Sequence, residues 1–232
     1  MIQREIINKV KAIILTHAKP KRIYIYGSQI SGESEKTSDI DIAFDDEEFK
    51  DIGIVEDEIK QLNTLVKIDV KNIAFCDDRF KNRVKDTGRV IYSANKKLRF
   101  EDSLINFSNA YNKFEDIVNR EQEFKKEGFG DIYLDVVVKR FEFTFEMAWK
   151  TIKRYLDFVG IKCINPRDCL KEAFSQGIIK NEHIWLDMIE QRNLSSHVYD
   201  EAELKDILYK MQDYKKSFYG LKVKLVSCNI EK

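Results

Sequence analysis

The chain has 232 residues and a mass of 27.4 kDa, a size that suggests two compact domains rather than one or three. Its 40 Lys and Arg residues balance 40 Asp and Glu residues, which excludes a dedicated polyanion binder or polyanion mimic. Hydrophobic residues make up 43%, which excludes global disorder, and the two prolines and nine glycines favour long helices over an all-β fold.

Four cysteines stand at positions 76, 163, 169 and 228, without a CxxC pair and without histidines at metal-ligand spacing. This pattern predicts reduced thiols in a cytoplasmic protein. The N-terminus lacks the pattern of a signal peptide, and no apolar run approaches the roughly 18–20 residues of a membrane span. We therefore expect a cytoplasmic protein without a membrane partner.

Residues 1–94 have the pattern of an α/β (α+β) domain with a small mixed sheet. Alternating apolar residues predict strands over 22–26, 39–44 and 66–70, and residues 73–75 are expected to continue the sheet. Residues 90–92 fit either a last edge strand or the exit of the chain from the domain. Apolar residues at helical spacing predict helices over 4–16, 47–64 and 78–86.

Residues 98–228 contain only helical patterns, and a polar aperiodic stretch over 93–97 separates them from the first domain. A helix is predicted over 98–125, a second ends at Gly160, and three more follow, the last of them starting near Asp200. Five helices with short connections predict an all-α bundle.

The first constellation of polar residues follows the predicted strands. Gly27 and Ser28 come directly after a strand, Asp39 and Asp41 begin the next one, and Asp69 lies in a third. Because residues two apart in a strand share a face, the three carboxylates are expected to converge there. Carboxylate oxygens suit Mg²⁺, and paired metal ions are commonly used to steer phosphoryl displacement.

This order of residues resembles the minimal nucleotidyltransferases of the polymerase-β superfamily, whose pattern is Gly-Ser, ten residues, Asp-x-Asp and a later Asp. The resemblance implies that Asp39 and Asp41 are ligands of Mg²⁺, and that two Mg²⁺ ions bind. It implies that Asp69 is either a further ligand or the base for the incoming hydroxyl. It also implies that Gly27 and Ser28 hold the triphosphate of ATP.

One departure from the family concerns the phosphate contacts. Many members have an arginine where this chain has Ser31. Lys36 is the candidate to replace it as a nucleotide-binding residue, beside Ser38, which precedes the Asp-x-Asp element.

A second constellation lies near the C-terminus, where Arg192 is followed by His197 and Tyr199. Histidine exchanges protons near neutral pH and arginine clamps phosphate, so Arg192 and His197 together could cleave RNA without a metal ion. The spacing also allows purely structural roles, in which Tyr199 packs before a helix start at Asp200. Glu142 and Glu146 are candidate partners of Arg192, or surface ion pairs.

The second domain resembles the HEPN superfamily, helical bundles marked by Arg, four to six residues, and His. The His-x-Tyr element and the helix over 139–150 resemble HEPN proteins of the nucleotidyltransferase substrate-binding type, as found in toxin–antitoxin pairs. The resemblance implies a dimeric RNase with Arg192 and His197 as its catalytic pair. It also implies that the nucleotidyltransferase silences the RNase by transferring AMP to Tyr199 of its own chain, in cis or in trans.

The net charge of each half of the chain limits how the protein could bind RNA. Residues 1–95 have 16 basic and 17 acidic residues, and the remainder has 24 and 23, so neither domain carries a broad basic field. RNA binding would therefore need a local basic groove, built across a homodimer or higher oligomer.

Two other functions remain open at the level of sequence. In one, the bundle binds a small hydroxyl or amine substrate for nucleotide transfer. In the other, the bundle is a dimerisation domain and the protein is a non-catalytic regulator.

Overall fold

The structure, a computed structural model, describes residues 2–27, 39–195 and 201–230. The chain divides into two compact units, Met1–Leu98 and Arg99–Lys232. Within the described ranges, no helix combines the length and the apolar composition needed to cross a membrane.

The first unit is built around a four-stranded sheet. Its elements are α1 (Ile2–His17), β1 (Arg22–Tyr26), β2 (Ile40–Phe44), α2 (Ile52–Lys60), β3 (Ile68–Asn72), a 3₁₀ turn (Ile73–Phe75), α3 (Asp78–Thr87) and β4 (Arg89–Ser93). The strand order is β3-β2-β1-β4, with β1 antiparallel to β2 and to β4, and β2 parallel to β3. The small mixed sheet predicted from the sequence is confirmed.

The two faces of this sheet differ because alternate residues point to opposite sides. On one face, strand residues such as Ile25 and Ile42 form a buried cluster with apolar residues of α1 and α2. On the other face, Tyr24, Tyr26 and Ala43 pack with apolar side chains of α3. Two of the carboxylates predicted to form a site, Asp41 and Asp69, occupy strand positions on this second face.

Asn72 ends β3 and accounts for one departure from prediction. Its side-chain amide donates to the carbonyl oxygens of Asp46 and Phe49, at 2.7 and 2.8 Å, and its side-chain oxygen accepts from the backbone N–H of Ala74 at 3.1 Å. This cap turns residues 73–75 into a 3₁₀ helix, so the predicted continuation of the sheet there is wrong.

The helix expected over 47–64 is shorter than predicted and begins at Ile52. Asp46 is buried, and its carboxylate accepts hydrogen bonds from the backbone N–H groups of Lys19, Glu48 and Phe49. These bonds satisfy backbone donors in a non-helical turn, which delays the start of the helix.

The second unit is a helical bundle, as predicted. Its described elements are α4 (Lys96–Asn119), α5 (Glu121–Lys126), α6 (Gly130–Phe158), α7 (Pro166–Ser175), α8 (Glu182–Ser195) and α9 (Glu201–Ile230). The single helix expected over 98–125 is divided at Arg120, which caps α5 in a non-helical conformation. Large aromatic residues fill the core, among them Phe107, Phe141 and Phe218.

Cys163 and Cys169 form a disulfide at the start of α7, so the prediction of four reduced thiols is wrong for this pair. Asn165 caps α7 by accepting from the N–H of Asp168 at 2.9 Å, and the loop before the helix brings the two Cα atoms to 5.0 Å. That separation suits a disulfide. Cys76 and Cys228 are free thiols and partly exposed.

Candidate functional site

Asp41 and Asp69 stand side by side in the sheet. Asp41 of β2 is the register partner of Asp69 of β3 across a parallel pairing, so both side chains project from the same face. Asp39 directly precedes the first residue of β2, and its charge acts on Asp41. The structure thus places Asp41 beside Asp69, with Asp39 close enough for its charge to act on Asp41.

Two lysines accompany the outer carboxylates. Lys67 Nζ lies 3.6 Å from an oxygen of Asp39, and Lys71 Nζ lies 3.0 Å from an oxygen of Asp69. Among the described residues, no three His, Cys, Asp or Glu side chains converge closely enough to form a metal-binding group. With these lysine contacts in place, the acidic face is a cluster of ion pairs around Asp41.

The environment of Asp41 is unfavourable for a negative charge. Partial burial raises its pKa, and the negative charges of Asp69 and Asp39 raise it further, while Lys71 and Lys67 act in the opposite direction. A cation bound among the carboxylates would offset both causes of the upward shift. Carboxylate oxygens of this kind are hard ligands that suit Mg²⁺.

Tyr26 is a member of the site that the sequence did not single out. It is the last residue of β1 and the register partner of Asp41, and its hydroxyl donates to Asp69 Oδ2 at 3.4 Å. Its ring meets Phe80 of α3 edge-on at 5.5 Å. Burial, together with Asp69 and Asp41, raises the pKa of the Tyr26 phenol well above its usual value, so it stays a neutral donor. Its alternation with Tyr24 was the available sequence signal.

Gly27 follows β1 with a positive φ of 77°, a conformation that side chains other than glycine rarely adopt. A Cβ placed on Gly27 would collide with the Asp41 carboxylate. The backbone therefore passes directly against the acidic face, in a way that only glycine permits. Ser28, Ser31, Lys36 and Ser38 lie outside the described residues.

In the second unit, Arg192 lies in the last turn of α8. One of its terminal nitrogens is 3.9 Å from Glu146 Oε2, and the other donates to Asn193 Oδ1 at 3.4 Å. Together with Lys139, Glu142 and Phe143, Arg192 and Glu146 line an open pocket of about 390 Å³. Of the two glutamates considered from the sequence, Glu146 lies within ion-pair distance of Arg192, and Glu142 pairs with Lys139 at 2.8 Å.

Glu146 is held as an anion by its neighbours. Partial burial works to raise its pKa, but hydrogen bonds from Lys150 and Trp149 and the charges of Lys150 and Arg192 outweigh it and lower the pKa. The Trp149 indole N–H donates at 2.9 Å and Lys150 at 2.8 Å. Such a fixed carboxylate can orient the guanidinium of Arg192. His197 and Tyr199, predicted to act with Arg192, lie outside the described residues.

Comparison with known families agrees with this geometry. Residues 8–97 match the family described as "Polymerase beta, Nucleotidyltransferase", so the first unit is a nucleotidyltransferase domain. Enzymes of this class use nucleoside triphosphates and divalent metal ions. Residues 102–227, more than half of the chain, match "Nucleotidyltransferase substrate binding protein like", and the chain belongs to that family. The predicted fusion of a minimal nucleotidyltransferase to a HEPN-like substrate-binding domain is confirmed.

Individual relatives match parts of the chain. A Haemophilus influenzae protein named "Probable ribonuclease HepT" is 28% identical in an alignment of 89 positions that covers 36% of this chain and 61% of that protein. Two solved structures cover about half of the chain. One, a substrate-binding domain of a nucleotidyltransferase from Haemophilus influenzae, is 23% identical with a TM-score of 0.47 and covers 53% of this chain and 98% of its own. The other, from Thermus thermophilus, is 22% identical with a TM-score of 0.45 and covers 51% and 98%.

Proposed function

We propose that this protein transfers AMP from ATP to Tyr199 of its own helical domain and thereby controls an RNase site formed by Arg192 and His197. The placement of Asp41 beside Asp69, with the glycine turn of Gly27 against them, carries the proposal. The match of part of the chain to a probable ribonuclease supports the second half. We place the reaction in the cytoplasm, where ATP and RNA are available.

The carboxylates of Asp39, Asp41 and Asp69 are the proposed ligands of Mg²⁺, with two ions as the expected number. Bound there, Mg²⁺ would neutralise phosphate charge and polarise the reacting phosphoryl group. Gly27 would let backbone approach the triphosphate, and Ser28, Lys36 and Ser38 are its further proposed contacts.

In the proposed transfer, the Tyr199 phenolic oxygen attacks the α-phosphorus of ATP. A bond from that oxygen to phosphorus forms, the bond to the bridging oxygen breaks, and pyrophosphate leaves. As the alternative to its role as a metal ligand, Asp69 is proposed as the base that takes the phenolic proton, and the hydroxyl of Tyr26 donates to its carboxylate at 3.4 Å.

In the RNase site, Arg192 would bind the scissile phosphate and His197 would take the proton of the RNA 2′-hydroxyl. Glu146 would orient Arg192 through the contact described above. A homodimer would bring two such sets together and supply the local positive groove that a neutral chain otherwise lacks. AMP on Tyr199, two residues from His197, would block the groove and place a negative charge beside Arg192.

Incubation of the full chain with Mg²⁺ and ATP should add the mass of one or more AMP units. We expect Tyr199→Phe to abolish the increment, because the substitution removes only the attacking oxygen. Tyr209→Phe is the matched control, since Tyr209 is 86% exposed and lies ten residues further along the chain, in α9. Intact-mass spectrometry measures the result.

Chelation of Mg²⁺ should stop the labelling, and peptide mapping should locate AMP on Tyr199. Full labelling of Tyr199→Phe, or no labelling of the unmodified chain with any nucleoside triphosphate, would contradict the proposed acceptor.

A chain that cannot modify itself should be toxic to its host. We expect the Asp39→Ala/Asp41→Ala variant to arrest growth, because Tyr199 then stays free and the RNase site open. Adding His197→Ala should restore growth, whereas His183→Ala, an exposed histidine of α8, should not. Growth curves with total RNA integrity provide the measurement, and a harmless Asp39→Ala/Asp41→Ala chain would argue against RNase control.

The family match of residues 102–227 to substrate-binding proteins also favours a second function. In it, the helical domain presents a small hydroxyl or amine compound for nucleotide transfer, or serves for dimerisation. Consumption of ATP with release of pyrophosphate, without any label on the protein, would identify this alternative.

A further inference from the structure

A pocket of about 510 Å³ opens in the second unit, between the loop joining α7 to α8 and one side of α9. We call it the α9 pocket; its lining comprises residues 177–181, Ile184 and Trp185, and side chains between Asp213 and Ser227. Its volume is in the range of about 300–1,000 Å³ that small-molecule sites occupy. Neither Arg192 nor Glu146 lines it, so it is separate from the proposed RNase site.

The wall of the α9 pocket is apolar. Trp185, Ile179 and Leu221 line it and are buried members of the bundle core. At its mouth, Tyr219 and Val223 are 55% and 50% exposed. Apolar surface that continues from the core to the solvent is typical of a binding site.

The charge of the lining is unlike that of the chain. Three lysines line the α9 pocket, Lys180, Lys216 and Lys224, against one acidic residue, Asp213. Asp213 is 3.2 Å from Lys216. The lining therefore has a net charge of +2 in a chain whose formal charge is zero, and it favours an anion.

The α9 pocket is formed by the fold itself. A Cβ added to Gly220 would meet no atom within 4 Å, so this glycine leaves open space on α9. The facing loop is fixed by hydrogen bonds from the N–H groups of Ile178 and Ile179 to the carbonyl of Ala173, at 2.9 and 3.4 Å. Asn181 at its end holds a positive φ of 58°. A preformed wall reduces the entropic cost of binding.

We propose that the α9 pocket binds a small organic anion, with the apolar body of the ligand against Trp185 and Leu221 and its anionic group among the lysines at the rim. The proposal does not depend on AMP transfer. A purely apolar ligand would leave the net positive charge of the lining unbalanced, and an inorganic anion would leave the apolar wall empty.

The experiment uses the full chain and the fluorescent probe anilinonaphthalene sulfonate, an aromatic anion. We expect saturable binding that octanoate or phenyl phosphate displaces, and the better competitor identifies an aliphatic carboxylate or an aromatic phosphate as the preferred type. Octanol has the apolar chain without the charge, and inorganic phosphate has the charge without an apolar part. Each should have an inhibition constant at least about tenfold higher than that of the better competitor.

Two variants test the location. Gly220→Leu fills the open space and favours the helix, so it should remove binding while the protein stays folded by circular dichroism. Lys216→Glu/Lys224→Glu should weaken binding by at least about tenfold. Lys222→Glu is the control, because the amine of Lys222 donates to Asn112 Oδ1 at 2.9 Å and does not line the pocket. This variant should keep at least about half of the native affinity for the probe. Equal competition by octanol and octanoate, or unchanged binding by Gly220→Leu, would overturn the proposal.

Discussion

Replacing Asp41 by asparagine should lower the rate of nucleotidyl transfer by about a thousandfold or more. The side chain keeps its shape, but the site loses the central one of three carboxylates that we propose to hold Mg²⁺. Metal ions contribute several kcal/mol of transition-state stabilisation in such reactions, which corresponds to about this factor. Release of pyrophosphate from ATP, measured at saturating Mg²⁺, gives the rate.

The same substitution should stabilise the metal-free protein at neutral pH. The folded pKa of Asp41 is raised, so its ionised form opposes folding above that pKa and ceases to do so once it is protonated. Asp41→Asn should therefore raise Tm at pH 7 in the presence of a chelator, and the gain should vanish as the pH falls below about 4. A gain that persists at low pH would show that charge is not its cause.

Asp57→Asn is the matched control for both measurements. Asp57 makes an exposed ion pair with Lys60 at 2.8 Å, on α2 of the same unit. An exposed pair of this kind contributes about 1 kcal/mol at most, so this variant should keep full activity and a nearly unchanged Tm. An equal loss of activity in Asp57→Asn and Asp41→Asn would sink the metal role assigned to Asp41.

Gly27→Ala should be the most damaging single-methyl change in the first unit. A left-handed backbone costs a residue with a side chain about 1–2 kcal/mol, and here the new methyl group also displaces the Asp41 carboxylate. We expect a loss of roughly 2–4 kcal/mol in the free energy of unfolding and a transfer rate lowered by about a hundredfold or more. Chemical denaturation and the pyrophosphate assay measure the two effects.

Gly128→Ala separates backbone strain from the collision. Gly128 has a φ of 80°, close to that of Gly27, but a Cβ there would meet nothing within 4 Å. Gly128→Ala should therefore lower the free energy of unfolding only by the backbone strain, about 1–2 kcal/mol.

A double-mutant cycle gives the second control. Asp41→Ala removes the carboxylate and leaves the Cβ of residue 41, which lies 3.6 Å from a Cβ built on Gly27. Gly27→Ala should therefore lower the free energy of unfolding less in the Asp41→Ala background than in the native chain. Equal costs in both backgrounds would show that the carboxylate is not what excludes a side chain at Gly27.

The sequence was sufficient where periodicity and local chemistry agree. Alternating residues around Ile23, Ile42 and Val70 predicted three of the four strands and their shared face, because burial of one face enforces a period of two. The short apolar run at 90–92 fits a strand or a chain exit equally well, because the pairing of β4 with β1 joins residues that are distant in the chain.

The rest required tertiary contacts that no local pattern reveals. Asp46 and Asn72 are 26 residues apart, and their hydrogen bonds shorten α2 and end β3. The disulfide depends on the turn before α7, and the approach of Glu146 to Arg192 joins α6 to α8. Tyr26 belongs to the site because β1 pairs with β2 in a register that places Tyr26 opposite Asp41, and no local pattern reveals that register.

Asn72 also affects Asp69, which lies three residues before it in β3. In the described sheet β3 is an edge strand paired only with β2, and an edge strand could slide by one residue along its neighbour. Such a slip would turn Asp69 into the apolar cluster beneath the sheet and turn Val70 towards Asp41. The bonds of Asn72 to the carbonyl oxygens of Asp46 and Phe49 anchor β3 to the chain that follows β2. An amide outside the site therefore determines which side chain stands next to Asp41.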